Sequence, residues 1–501
     1  MLFHSFEFVL LLAAVLLLDR VLFRVLDRER GWRVRCGVYL AASFVFYGAW
    51  DWRYLPLMLF SIVLDYLVGR RLEAETRPAV RRAWLAASVV TQIGLLAAFK
   101  YWTFLRTSLA PAGVALPAVD LLDALPPLGI SFYTFQSLSY TVDVYRRVIP
   151  AERSLSSFAL FVAFFPQLVA GPIVRASDFL WQLRVPKAPR LPRLLSGLER
   201  FAVGLFKKTV IADNLTPFTD PVFADPGRFS AVNNAFALAA WGIVIYCDFS
   251  AYSDMAIGTA RMLGFRFLEN FRFPYLARSV PDFWRRWHIS LSQWLRDYLY
   301  VPLGGSRQGF AATAAALAVT MLLGGLWHGA SWNFVLWGAW WGAWLVLAHA
   351  WRRAPERWRR ALPTAVTWPA TLAIAFLGWV PFRCQDFATT GAMLDRLFSA
   401  DLLASVGSGE FIRLAELPVG RATSWAAALG LASFAAVHLA APLLRLDSTA
   451  RDAGPAWLRR VRSRWIASRS PWLRGFALAA AFAICLLLRT TENETFVYFQ
   501  F

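Results

Sequence analysis

Residues 311–350, AATAAALAVTMLLGGLWHGASWNFVLWGAWWGAWLVLAHA, run for forty positions without one Asp, Glu, Lys or Arg. About 20 apolar residues carry a helix across the roughly 30 Å hydrocarbon layer. The stretch therefore holds two crossings, Ala311 to Trp327 and Trp332 to Ala350, joined at His328-Gly329-Ala330-Ser331. The rest of the chain has the same character. Hydrophobic residues make up 58% of 501 positions and charged residues 17%, a balance that a soluble chain of this length would not need to cover its surface. The sequence reads as an all-α polytopic membrane protein with lipid as its main solvent. Its Trp, Phe and Tyr residues are numerous enough to furnish aromatic belts at both interfaces.

The same ruler marks further spans near Phe6 to Leu18, Cys36 to Trp50, Tyr54 to Gly69, Ala83 to Phe99, Leu128 to Tyr145 and Leu198 to Leu215, then Asn234 to Met255, Ala365 to Pro381, Ser424 to Leu443 and Gly475 to Leu488. Loop charge supplies an independent check, since Lys and Arg collect on the cytoplasmic side. Six arginines lie between Arg20 and Arg35, five between Arg70 and Arg82, five between Arg352 and Arg360, and eight between Arg445 and Arg474. By contrast, residues 212–233 carry three acids against Arg228 alone. Threading the spans through these loops gives about 10 to 12 crossings with both termini outside. The net charge of +20 is thus read as topology, which removes the reason to expect a nucleic-acid partner.

Leu155 to Val174 is apolar, yet basic residues flank both ends and Pro166, Gly171 and Pro172 interrupt it. It reads as a re-entrant or broken helix, or else as a Pro-kinked crossing. Cys36, Cys247, Cys384 and Cys485 are scattered without CxxC spacing, so neither a disulfide framework nor a metal site is expected. The first apolar run has no basic segment before it and no small-residue cleavage site after it, as in a retained span. No composition shift marks a soluble domain. Residues 1–501 are expected to form a single membrane domain: N-terminal helices over 1–150, a core with the chemistry over 151–350, and C-terminal helices with an aromatic tail over 351–501.

An ionisable group at the centre of a membrane helix costs roughly 2.5–3.5 kcal/mol or more, which makes the few that sit there candidates for function. Among five histidines, His4, His349 and His438 read as interfacial or packing residues. His328 differs, because Gly324, Gly325 and Gly329 loosen the backbone on both sides and would let a cavity reach the ring. Imidazole can take a proton from an attacking hydroxyl and return one to a leaving thiol near neutral pH. The alternative is a histidine that only hydrogen-bonds a neighbouring carbonyl. Upstream, residues 274–305 (PYLARSVPDFWRRWHISLSQWLRDYLYVPLGG) are too polar to span. Trp284, Trp287, Trp294 and Tyr298 alternate with Arg285, Arg286, Arg296 and Asp297, the pattern of an amphipathic helix in the interface. Arg285 and Arg286 could attract donor phosphates while His288 reaches inward.

Trp287-His288-Ile289-Ser290, Tyr298 with Val301-Pro302-Leu303-Gly304-Gly305, and Gly325-Leu326-Trp327-His328-Gly329 resemble the signature region of membrane-bound O-acyltransferases of the alginate O-acetyltransferase type. Residues 128–136 (LGISFYTFQ), 164–167 (FFPQ), 170–173 (AGPI), 246–254 (YCDFSAYSD) and 496–501 (FVYFQF) extend the resemblance over most of the chain. It implies a ring of helices around a central tunnel, with re-entrant and interfacial helices, in a bacterial inner membrane. By resemblance His328 is the family's catalytic histidine and His288 its second functional position. The family further implies acetyl transfer from acetyl-CoA, a substrate with no bound cofactor or metal, to a periplasmic polysaccharide O-acetyltransferase that modifies an exopolysaccharide. Relatives with other glycan acceptors, cellulose or peptidoglycan, or with D-alanyl donors, leave the acceptor and donor open.

Trp287 and Trp327 flank the two histidines and are candidate donor contacts, as are Asp248 and Asp254, for which hydrogen-bonded helix packing is the competing reading. Lys207 and Lys208 interrupt a span and are expected to snorkel to an interface. In the tail, the Tyr498 hydroxyl is a candidate acetyl relay or docking group, against a plain interfacial anchor. A transporter would share the many spans and the broken segment but predicts inverted repeats, which are absent by eye. A purely structural subunit predicts that both histidines are replaceable.

Overall fold

The computed structural model describes residues 2–120, 126–355, 362–402, 421–443 and 471–488. Helix α1 (Phe6–Val25) starts where the Ser5 hydroxyl accepts the Phe8 N–H at 3.3 Å, and α2 (Arg28–Asp51) where the Asp27 carboxylate accepts from Glu29 and Arg30. These acceptors fill the donors that every helix start leaves open. Prolines open α3 (Leu55–Ala74) and α4 (Pro78–Leu109), at positions where a missing N–H costs nothing. After α5 (Ile130–Tyr145) come two short pieces, α6 (Leu155–Ala163) and α7 (Phe165–Leu168), then α8 (Ala176–Leu183) and α9 (Leu191–Phe206). A π-helical turn over Lys207–Ala212 leads into α10 (Asp213–Ala224) and α11 (Ala231–Met262). Then follow α12 (Val280–Arg286), α13 (Ile289–Leu295), a second π turn over Arg296–Tyr300, α14 (Gly309–His328), α15 (Trp332–Arg353), α16 (Thr364–Arg383), α17 (Phe387–Leu397), α18 (Arg421–Leu443) and α19 (Pro471–Leu487).

The described residues hold helices and no strand, as the sequence requires. Four stretches are long and apolar enough to cross a membrane: Pro78–Ala112, α11, α14 and α16. The other spans expected from sequence also fall on helices, shorter or more polar than these. The residues divide into two compact units, Met1–Phe201 with Tyr252–Glu269, and Ala202–Ala251 with Asn270–Phe501.

In the first unit, several charged groups between apolar helices have polar or charged partners. Arg35 Nε lies 2.6 Å from Asp19 Oδ1, Asp65 accepts from Ser88 Oγ (2.6 Å) and Gln92 Nε2 (2.8 Å), and Arg200 meets Asp254 at 2.7 Å. Unpaired, each would carry the cost of a charge in a medium that cannot solvate it. The Leu155–Val174 stretch is a broken helix, as expected, and almost all of it is buried in protein. At the break, Phe165 N–H donates to Ser43 Oγ (3.1 Å) and Gln167 Nε2 donates to the Phe161 carbonyl (2.6 Å), so backbone groups freed by Pro166 find side-chain partners.

In the second unit, α14 and α15 approach through glycine. A Cβ on Gly325 would collide with the Phe334 carbonyl and stand 3.1 Å from Gly338. This corrects the sequence reading: Gly324 and Gly325 stay helical and do not loosen the backbone before His328, and Gly325 instead lets two helices touch. The expected surface helix is corrected too. Residues 280–300 form two short helices and a π turn, and Trp284, Trp287 and Trp294 are buried. Trp284 packs on Trp337 and Trp341, and Trp287 on Phe283 and Trp379, so these rings fill a protein core where a membrane belt was expected.

Candidate active site

His328 is the last residue of α14 and His288 the link between α12 and α13, and the Trp327 ring neighbours both. The Trp327 ring centroid is 5.1 Å from that of His328 and 6.1 Å from that of His288. His328 is 5% exposed, its ring edge-on to Trp337 at 4.8 Å and to Phe382 at 5.4 Å.

His288 is 0% exposed and has φ 40° and ψ 56°, in the left-handed region. Such a residue costs roughly 1–2 kcal/mol relative to ordinary backbone. Four hydrogen bonds to Asn270 hold the turn. Its Oδ1 lies 3.1 Å from His288 Nδ1 and accepts from Ser290 N–H (3.2 Å) and Ser290 Oγ (2.9 Å), while its carbonyl accepts Ile289 N–H (2.9 Å). Phe249 of α11 meets the ring edge-on at 4.6 Å and Phe271 lies over it at 6.3 Å. His288 Nε2 is buried with no hydrogen-bond partner among the described residues, and the indole N–H groups of Trp337 and Trp341 are likewise orphaned. A buried polar atom without a partner costs ~1–3 kcal/mol, so each is ready for a ligand of complementary type.

Residues 280–300 lie outside the four candidate spans. There burial pushes the His288 imidazole down from 6.5 to about 3, leaving it neutral in the folded protein at physiological pH. The unfolded chain would bind a proton here below about pH 6.5 while the folded one does not, so stability falls as pH drops. Expected loss from this group is about 2 kcal/mol between pH 7 and pH 5. Thermal denaturation in detergent at both pH values should show a smaller drop in His288→Gln than in wild type. Equal drops would refute the assignment.

Among the other site residues expected from sequence, Trp287 lies in the aromatic core beside Phe271, at 5.1 Å. Arg286 pairs with Asp282 at 3.1 Å, which leaves Arg285 as the exposed arginine of the two. Asp248 and Asp254 both carry ion pairs, Asp254 with Arg200 and Asp248 with Lys208 at 2.9 Å. Lys208 does not snorkel. It is 1% exposed and also meets Asp213 at 2.7 Å, because the π turn rotates it inward. The Asn214 amide donates to the Thr209 and Val210 carbonyls, satisfying oxygens in that widened turn. Lys207 contacts Ser250 Oγ at 3.1 Å. His4 contacts Tyr252, His349 stacks on Phe310 and His438 on Phe434, consistent with packing roles. All four cysteines are free thiols. Tyr498 lies outside the described residues.

Sequence reasoning missed Asn270 and Trp337 and misread Lys208. Asn270 showed only as a polar residue in the break after α11, and nothing local signals a contact 18 residues along the chain. A cavity of about 540 Å³, lined by Tyr275, Trp368, Phe376, Phe434 and His438 among others, includes neither His288 nor His328.

Residues 51–382 match the model of MBOAT, the membrane-bound O-acyltransferase family. The chain is 43% identical over 376 residues to a protein named probable alginate O-acetylase AlgI in Azotobacter vinelandii, covering 73% of each. It is 42% identical over 378 residues to the Pseudomonas aeruginosa protein of that name (74% of this chain, 71% of the relative). The peptidoglycan O-acetyltransferase of Helicobacter pylori is 36% identical over 371 residues (69% and 70%).

Proposed function

The chain belongs to the membrane-bound O-acyltransferase family, and from that premise we propose that it moves an acetyl group from a cytoplasmic thioester, acetyl-CoA, across the inner membrane to a periplasmic partner that esterifies an exopolysaccharide such as alginate. Both termini then lie in the periplasm. The observation that carries this reading is the pair of buried imidazoles that both neighbour Trp327. Similarity to alginate O-acetylases supports a polysaccharide as the final acceptor. Similarity to a peptidoglycan O-acetyltransferase keeps peptidoglycan as the second acceptor to test.

In the proposed reaction His328 takes the proton of the acceptor hydroxyl as its oxygen attacks the thioester carbonyl carbon. The tetrahedral intermediate collapses with cleavage of the C–S bond, and the proton passes from the imidazolium to the leaving thiolate. The products are one ester and one thiol, with no change of oxidation state. His288, neutral and with a free Nε2 lone pair, accepts a hydrogen bond from an N–H or O–H of the bound substrates other than the reacting hydroxyl, whose single proton goes to His328. The unpartnered indole N–H of Trp337, on the ring beside His328, is placed among the donors that could stabilise the developing oxyanion. Trp337→Phe keeps the apolar ring and removes that donor. It is expected to lower kcat by on the order of 10²-fold with KM for the donor little changed. Full kcat in that variant would remove Trp337 from the mechanism.

The deciding experiment uses purified protein in proteoliposomes with radiolabelled acetyl-CoA, soluble alginate or peptidoglycan fragments, and an extract of periplasmic proteins. Wild type should release CoA and pass label to a polymer. His288→Ala should do so at least ~10²-fold more slowly. No thioester turnover with acetyl-CoA or with an acyl carrier protein thioester would sink the proposal.

A further inference from the structure

The best-defined polar geometry of the site belongs to a residue that no sequence motif singled out. Asn270 Oδ1 accepts the backbone N–H of Ser290 at 3.2 Å. A backbone N–H can only donate, so the Asn270 atom is the amide oxygen and carries lone pairs alone. His288 Nδ1, 3.1 Å from that same oxygen, must then be the donor. A neutral imidazole with its proton on Nδ1 has a bare lone pair on Nε2. That Nε2 is the atom left buried and unpartnered among the described residues. Asn270 also accepts Ser290 Oγ–H and, through its carbonyl, Ile289 N–H, so one residue grips positions 288, 289 and 290 in succession. The grip is tight where the backbone is least comfortable, at the left-handed His288.

We infer that Asn270 is the positioning residue of the site, holding His288 as the Nδ1–H tautomer so that its Nε2 lone pair accepts a hydrogen bond from an N–H or O–H of the bound substrates other than the proton that His328 removes. The inference deepens the proposed function and rests on it for the identity of the group that Nε2 meets. A neutral amide is the right partner for such a role. It fixes the tautomer without stabilising the imidazolium, whereas a carboxylate in its place would hold the ring charged and spend the lone pair on a proton. The side chains whose rings pack on it among the described residues, Phe249 from α11, Phe271 beside Asn270 and Trp327 from α14, are aromatic and uncharged, so none of these contacts competes with that choice.

The test separates position from folding. With only five histidines in the chain, 15N-histidine labelling resolves individual rings, and His288→Gln identifies the resonances of His288. Wild type should show the Nδ1–H tautomer at neutral pH, and Asn270→Ala a mixture or the Nε2–H form. Asn270→Ala should lose on the order of 10²-fold in kcat with little change in KM for the thioester. Asn270→Asp retains the acceptor geometry and should fold like wild type. It should move the acidic limb of the rate profile to higher pH, because the charged form of His288 gains a partner. If Asn270→Ala does not fold, Ser290→Ala and Asn270→Asp carry the comparison. An Nε2–H tautomer in wild type, or an unshifted acidic limb in a folded Asn270→Asp, overturns the inference. Full activity of His288→Gln would instead overturn the part assigned to His288 in transfer, while the tautomer measurement would still judge Asn270.

Discussion

His328→Ala is expected to lower acyl transfer by on the order of 10³-fold, within the range that a positioned general base supplies. Two features of the site drive the size of this loss. The ring is nearly fully enclosed, so bulk water is poorly placed to replace it as a base. Its neighbours Trp327, Trp337 and Phe382 are aromatic, and none can accept the proton in its stead. The substitution also removes packing against those rings, so activity is to be compared per folded molecule after size exclusion in detergent. His328→Gln serves as the control that retains most of the volume. Both variants should bind donor with KM near wild type and differ in kcat, as for an interaction made mainly in the transition state. Activity within threefold of wild type in both would end the assignment of His328 as the base. Activity in Gln but not Ala would point to packing.

Much of the fold was legible because lipid simplifies the physics. Uncharged runs of the right length must be helices in a bilayer, and every span expected from sequence falls on one. The pattern around the two histidines marked them as candidates, and the structure sets both rings beside Trp327. What failed were residues whose chemistry serves two environments. Tryptophan suits an interfacial belt and a packed core equally well, and only the facing rings of Trp337, Trp341 and Trp379 decide for the core. Glycine before His328 can loosen a helix or let another helix approach. The Phe334 carbonyl that decides the matter belongs to a different helix. Asn270 was invisible because its partners are joined to it by a turn whose left-handed residue no propensity predicts. Lys208 was misread because snorkelling assumes regular helical spacing, and a π turn breaks it.

Lys208→Met should be the most destabilising of the single changes considered, by roughly 3–5 kcal/mol, the usual cost of removing one partner from a buried ion pair. The ammonium of Lys208 lies between Asp213 (2.7 Å) and Asp248 (2.9 Å), and its side chain is 1% exposed. Methionine fills a similar volume but leaves two buried carboxylates without their common cation. Like charges confined together cannot both stay ionised at neutral pH without further cost. The fold would have to take up protons or open. The loss should be strongly non-additive, because the cost lies in stranded charge and much less in lost contacts. Adding Asp213→Asn and Asp248→Asn to Lys208→Met removes both stranded carboxylates and should recover most of the stability. Thermal denaturation of the single and triple variants in one detergent measures this directly. Transfer per folded molecule in the triple variant then judges Asp248. Near wild-type turnover makes it a structural counter-ion, and loss of turnover in a stably folded triple variant returns it to the list of groups that serve the reaction. A single variant as stable as wild type would mean that Lys208 is not the cation holding these helices together.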